Sequence, residues 1–222
     1  MDNAADFSRK TDTGGAELAS DAPVAVDRRC TKRQNLLIRV AKLISAQGEF
    51  VCVVRDYSEM GVSIRLFHAI PMSKELELEM PTGNCYKINL VRSEGEEVGF
   101  TFSGTIDTEE FARAFGDHPK RPLRLGIYFP VRLNTLSQST EATVGNLSQQ
   151  GARLDGGMQF ALDQNVRIEG CDGAEAFGEV RAKVRWRGDE QCGVVFDDTM
   201  TLREFARLAA KLQAPALLDD SG

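Results

Sequence analysis

Arg29 and Arg33, in the stretch DRRCTKRQ that spans residues 27–34, stand four residues apart with Arg28 before them and Lys32 between them. In an extended segment, residues so spaced point to the same side and lie about 13 Å from each other. Two guanidiniums in that arrangement can grip two parts of one anion, by forked bonds to phosphate or to the O6/N7 edge of guanine. Further on, DYSEMG (residues 56–61) supplies Asp56, whose carboxylate complements the donors on guanine's other edge. The plain alternatives are a solvated basic linker and a tight turn, in which Asp56 and Ser58 bond nearby backbone and Gly61 takes positive φ. The linker reading leaves the pairing of the strap with DxSxxG unexplained.

The elements that must position these residues occur twice. Asp56, Ser58 and Gly61 recur as Asn146, Ser148 and Gly151, 90 positions later, and Arg33 recurs as Arg124, 91 positions later. EEVGFTF and EQCGVVF align with Gly99 on Gly193 and Phe102 on Phe196, both 94 apart. Asp107 with Glu110, and Thr201 with Glu204, read as capping boxes that start the helices FARAF, stopped by Gly116, and FARLAAKL. The order is basic strap, strand, turn motif, several strands and helix, played twice.

Alternation predicts strands at LLIRVAKLI, FVCVVRD, GVSIRLF, ELELEM, YKINLVR and VGFTF. In the second copy it predicts them at RLGIYFPVRL, EATVGN, GARLD, QNVRIEG, GEVRAKVRW and CGVVF. Five or six short strands per unit of about 90 residues suggest a small antiparallel barrel closed by a terminal helix. The expected organisation is mainly β. Residues 1–26 are expected to form a disordered arm, 27–116 one barrel, 118–213 a second, and 214–222 a short tail.

Composition narrows the chemistry. The chain has 222 residues, 27 Lys+Arg against 33 Asp+Glu, and a net charge of −6, a poor balance for a DNA or RNA binder, which needs a broad basic surface. Any anionic partner should be small and met by a local cluster. The five cysteines form no CxxC pair, and His68 and His118 have no neighbouring ligand at metal spacing, so neither a disulfide framework, a metal site nor a His-based triad is indicated. No apolar run is long enough for a membrane span or a signal peptide, so a cytoplasmic location is expected.

Arg28-Arg29-Cys30-Thr31-Lys32-Arg33, followed after a strand pair by Asp56-Tyr57-Ser58-Glu59-Met60-Gly61, resembles the RRxxxR and DxSxxG signature of PilZ domains, bacterial receptors for cyclic diguanylate (cyclic di-GMP). The late VGFTF and CGVVF strands and the terminal helices are similar to that family's pattern as well. The resemblance implies two tandem six-stranded barrels, no enzymatic activity, no cofactor, and a ligand wrapped between strap and barrel surface. Carried over, Arg29 and Arg33 bind guanine and phosphate, Asp56 and Ser58 contact the base, and Gly61 allows close approach. In the family an Arg at the position of Arg28 often accompanies an intercalated ligand dimer.

The second copy departs from the signature. Its strap, Lys120-Arg121-Pro122-Leu123-Arg124, has Lys at the first position of RxxxR, and Arg121 and Arg124 stand one residue too close. Lysine cannot supply the forked donor pair of arginine. Asn146, Ser148 and Gly151 are intact, and Trp186, seven residues before Gly193, falls where some PilZ domains stack an aromatic on the ligand. The same count back from Gly99 reaches Arg92, a planar cation that could also stack. The expectation is a cyclic di-GMP effector that binds through the first copy and relays a conformational change to an unidentified protein partner, strap and arm becoming ordered over the ligand. The alternative is a nucleotide-independent interaction module on the same barrels.

Overall fold

The computed structural model describes residues 34–115, 122–156 and 160–218. They form two closed six-stranded antiparallel barrels, ordered β1-β2-β3-β6-β5-β4 and β7-β8-β9-β12-β11-β10. Barrel 1 contains β1 (Gln34–Ser45), β2 (Gly48–Tyr57), β3 (Gly61–Arg65), β4 (Leu76–Glu79), β5 (Cys85–Glu94) and β6 (Glu97–Phe102), followed by α1 (Thr108–Arg113). Barrel 2 contains β7 (Phe129–Asn134), β8 (Ser139–Ser148), β9 (Gly151–Asp155), β10 (Asn165–Gly170), β11 (Glu179–Arg187) and β12 (Gln191–Phe196), followed by α2 (Leu202–Gln213). Each predicted strand has its counterpart. The run RLGIYFPVRL does not stay whole: Leu125 makes only an isolated bridge to Leu147, and β7 starts at Phe129.

Two-residue alternation fills both interiors. In β6, Val98, Phe100 and Phe102 are buried, and in β7 Phe129, Val131 and Leu133 are. The barrels close where β1 pairs with β4 and β7 with β10, so neither sheet keeps an open edge.

Both helices start on a side-chain cap, but only one is a full capping box. Thr201 and Glu204 bond reciprocally. Asp107 accepts from the Glu109 and Glu110 backbone, while the Glu110 carboxylate accepts from Asn84 Nδ2 at 3.1 Å. The expected helix stop at Gly116 lies outside the described residues.

α2 is more than the lid of barrel 2. Phe205, Ala206 and Ala209 pack into the core cluster of barrel 2, while Ala210 joins that of barrel 1. Full burial of a side chain such as Phe205 contributes about 2–3 kcal/mol. Residues 215–218, expected as part of a tail, form a 3-10 helix instead; Leu217 is buried in barrel 1's cluster and its carbonyl accepts from Ala69 N at 2.8 Å. β2 is buried on both faces: Phe50, Cys52 and Val54 face barrel 1's core, and Val51 and Val53 join barrel 2's cluster.

Polar contacts complete this joint. The Gln213 amide accepts from Glu49 N at 2.9 Å and donates to Glu49 O at 2.7 Å, as a neighbouring strand would. The Glu49 carboxylate accepts from Gly126 N at 2.7 Å and pairs with Lys42 at 3.0 Å. Burial pushes the Lys42 ammonium down, but Glu49 and Glu79 outweigh it and hold the group above the ordinary lysine value.

Candidate functional site

Four strands in each copy bring two of the predicted site residues, Asp56 with Arg92 or Asn146 with Trp186, into one row. In barrel 1, Asp56 on β2 registers with Ser63 on β3, Ser63 with Gly99 on β6, and Gly99 with Arg92 on β5. In barrel 2 the same path runs from Asn146 on β8 through Arg153 on β9 and Gly193 on β12 to Trp186 on β11. Residues that are directly paired across antiparallel strands share a face of the sheet. Each row therefore lies on the outer face of its barrel, although Ser63 is covered there and only 3% exposed.

A bulge precedes both ends of each row. One extra residue stands in β2 between Val54 and Asp56 and one in β5 between Leu90 and Arg92; β8 repeats this before Asn146 and β11 before Trp186. A bulge re-aims the side chain that follows it. Here four bulges bring Asp56, Arg92, Asn146 and Trp186 onto the outer face.

The glycines in the rows act as floors. A methyl group on Gly99 would lie 2.9 Å from Arg92 Cγ and 3.0 Å from Arg92 Nε, and one on Gly193 would collide with the Trp186 indole. Both side chains thus reach across the next strand and cover its glycine. Arg92 also pairs with Glu94 at 3.2 Å, and Trp186 remains 42% exposed.

The DxSxxG turn is built differently from expectation at its glycine. Gly61 and Gly151 are absent from the positive-φ residues. What excludes a side chain is backbone: a Cβ on Gly61 would meet Phe100 O at 2.8 Å, and one on Gly151 would run into Val194 O. Close approach is therefore required of these glycines, but by the neighbouring strand. The serines close the hairpins, Ser58 Oγ donating to Gly61 O at 3.5 Å and Ser148 Oγ to Gly151 O at 3.0 Å. Ser148 is only 4% exposed.

Arg28, Arg29, Arg33, Lys120 and Arg121 lie outside the described residues. The residues that follow each strap are described. Gln34, next after Arg33, pairs with Tyr57, and Asn35 pairs with Asp56. Leu125, next after Arg124, bridges Leu147, the neighbour of Asn146. In both copies the residue that follows the basic strap lies against the strand that starts the row.

Sequence reasoning missed Arg153 and Asp155, which stand in barrel 2 where barrel 1 has Ser63 and Arg65. Arg153 Nε donates to Asp155 Oδ1 at 3.0 Å and Nη2 to Oδ2 at 3.2 Å. The fork lies over Gly145, where a methyl group would sit 2.5 Å from Arg153 Nη2. The bond from Asp155, reinforced by the Tyr128 phenol, holds the Arg153 guanidinium above even its ordinary high pKa. The usable signal was the one-residue difference at the bulge, Gly145 against Arg55.

Comparison with known proteins gives one family. Residues 119–214, which span barrel 2, match the model of the PilZ domain. No curated protein matches the chain. Among solved structures, the PlzA protein of Borreliella burgdorferi in complex with c-di-GMP is similar at 10% identity over 82% of this chain and 93% of that one, with a TM-score of 0.32. The Bacillus subtilis inhibitor of motility (MotI/DgrA) is similar at 12% identity over 79% and 95%, TM-score 0.33. The K. pneumonia MrkH–c-di-GMP complex is similar at 10% identity over 82% and 88%, TM-score 0.32.

Proposed function

We propose that this chain, which carries the PilZ-like barrel in duplicate, is a receptor for cyclic di-GMP whose principal site is on barrel 1. The observation that carries the reading is the register Gln34–Tyr57 and Asn35–Asp56 together with the row Asp56–Ser63–Gly99–Arg92. It supports a strap that enters beside the DxSxxG carboxylate, on the face where Arg92 lies across Gly99. Arg29 and Arg33 grip guanine and phosphate by forked bonds, with Arg28 beside them. Asp56 accepts from the N1 and N2 donors of the base, and Arg92 stacks on it as a planar cation. Ser58 and Gly61 set the hairpin that aims Asp56.

The output is relay to a protein partner. β2 carries Asp56 near one end and, a few residues earlier, Val51 and Val53 in the cluster shared with barrel 2. A ligand that fixes the strap against β2 biases the surface around that joint.

Isothermal titration tests the reading. The purified chain should release heat on adding cyclic di-GMP, and Arg29→Ala/Arg33→Ala should lose the barrel 1 component. Absence of heat, or unchanged binding in that variant, sinks it. A nucleotide-independent module would instead capture its partner equally with and without nucleotide.

A further inference from the structure

The connection from β3 to β4 and that from β9 to β10 match residue for residue, 90 positions apart. Leu66 N donates to Glu96 O as Gly156 N does to Glu190 O, and Leu76 registers with Ile88 as Val166 does with Ala182. Ile70, Ser73 and Lys74 therefore stand where the second copy has Phe160, Asp163 and Gln164. Leu90 on β5, opposite Phe100, corresponds to Val184 on β11, opposite Val194.

In barrel 2 this connection finishes the sheet. Val184 N donates to Gln164 O at 3.0 Å and Val184 O accepts from Asp163 N at 2.8 Å. Asp163 also pairs with Arg185 at 2.8 Å, and the Phe160 carbonyl accepts from Arg187 Nη1 at 3.2 Å. The Phe160 ring joins the core cluster, and Val184 beside it is fully buried.

Barrel 1 leaves the same place open. Pro71 replaces Ala161 and has no N–H. Ala69 N is taken by Leu217 O at 2.8 Å and Ser73 Oγ accepts from Ala46 N at 3.4 Å, so the connection is drawn toward the 3-10 helix and the β1–β2 turn. Among the described residues no backbone bond joins Ser73 or Lys74 to Leu90. Lys87 O accepts from Ser103 N on the β6 side, so by alternation the N–H and C=O of Leu90 point the other way, into the gap. Its side chain, at the place of the buried Val184, is 50% exposed. Ile70, Met72, Lys74, Leu76, Ile88 and Leu90 line the resulting groove of about 440 Å³.

Size and charge select the occupant. A folded partner needs about 800 Å² on each side; one extended strand added to a sheet edge, with a side chain in an apolar slot, needs only a groove of this kind. Lys74 on its wall is exposed and has no ion-pair partner among the described residues. We infer that this groove docks an extended segment of a partner protein that carries an aromatic side chain and, three residues later, an acidic one, as Phe160 and Asp163 are spaced. The segment's backbone pairs with Leu90, its ring takes the place that Phe160 fills in barrel 2, and its carboxylate meets Lys74, since Val91 stands here in place of Arg185. The inference rests on the proposed function only for the existence of a protein partner; it assumes no nucleotide.

The test titrates a capped peptide, FALDQN, the sequence of residues 160–165, into the nitrogen-15-labelled full chain and follows its amide resonances. Saturable shifts at Leu90, Val91 and residues 72–74 are expected. The peptide AALDQN should bind roughly ten-fold more weakly, as loss of an aromatic anchor does. Lys74→Glu, a change at an exposed position, should weaken FALDQN roughly three-fold and favour FALKQN instead. Ile70→Phe, which supplies a ring from within, should abolish the shifts. No saturable shift, shifts outside the groove, equal binding of FALDQN and AALDQN, or unchanged binding to Ile70→Phe overturns the inference. So do groove shifts that follow protein concentration alone, which make a second copy the occupant, and a response that needs deletion of residues 1–26, which makes the arm the occupant. The titration contains no nucleotide: a chain that gives no heat with cyclic di-GMP yet binds the peptide loses only the receptor reading, and one that binds nucleotide but ignores the peptide loses only this surface.

Discussion

The Trp186 indole lies across Gly193 on the adjacent strand, and Arg92 lies across Gly99 at the same place in the other barrel. A residue with no side chain is thus what turns each outward-pointing group into a platform. Gly193→Ala should lift the indole off β12, red-shift its emission and increase its quenching by acrylamide. The stability cost should be about 1–2 kcal/mol by urea denaturation, the usual range for forcing one methyl into an occupied space. An unchanged emission spectrum would show that the indole does not rest on Gly193.

The turn glycines should behave more severely than the turn serines. Gly61→Ala sets a Cβ 2.8 Å from the Phe100 carbonyl, and Gly151→Ala drives one into that of Val194. Backbone cannot rotate aside as a side chain can, so each should cost about 2–3 kcal/mol. Ser148→Ala removes one hydroxyl bond, to Gly151 O at 3.0 Å, and should cost about 1 kcal/mol. Urea midpoints for the three variants check the order. A Ser148→Ala chain of full stability that has lost nucleotide binding would reassign that serine from hairpin to ligand.

Gln213 should matter to barrel 1 although it lies at the far end of the chain. Its amide satisfies both the N–H and the C=O of Glu49. Gln213→Ala leaves those two groups without that partner, at a cost of about 1–3 kcal/mol. Native-state hydrogen exchange should show earlier opening at Glu49 than at β6. Uniform exchange in variant and wild type would mean that the amide contributes no coupling.

Stability should fall as the solution is acidified through the histidine range. His68 is 7% exposed, its Nδ1 lies 2.7 Å from the Ala69 carbonyl, and its Nε2 is buried without a hydrogen-bond partner among the described residues. Burial lowers its pKa below 6.5; the Ala69 carbonyl opposes this and the Arg207 charge reinforces it. The unfolded chain takes up its proton first, near pH 6.5, so folding is favoured above that value and weakens as pH drops toward the folded pKa. The slope is at most about 1.4 kcal/mol per pH unit. His68→Phe, which keeps a ring against Phe50, should flatten the urea midpoint between pH 7.5 and 5.5 relative to wild type. Parallel curves for the two proteins would remove His68 from the account.

The strands, both hairpins and the equivalence of the copies were legible because two-residue alternation and the DxSxxG offset depend only on local order. Seven residues separate Arg92 from Gly99 and Trp186 from Gly193, and in both copies the two fall opposite each other on paired strands. The floor beneath them was not legible, since a cross-strand partner is set by bulges that add a residue without changing composition. Arg153 and Asp155 escaped for the same reason: two charges two apart on a strand look like any solvated face until Gly145 is seen under them. The double duty of α2 was hidden because its alanines carry no mark of which barrel they serve.

The middle of β2 has no free face: Val51 and Val53 point away from their own barrel and are still fully or almost fully buried, together with Phe67. A fragment ending at residue 115 would turn that strip toward water, a sticky stripe in the very strand that carries Asp56. The two copies are therefore inseparable stock for recombination: evolution or an engineer can graft the pair onto another protein, but a single barrel lifted from it would arrive with an unhealed wound.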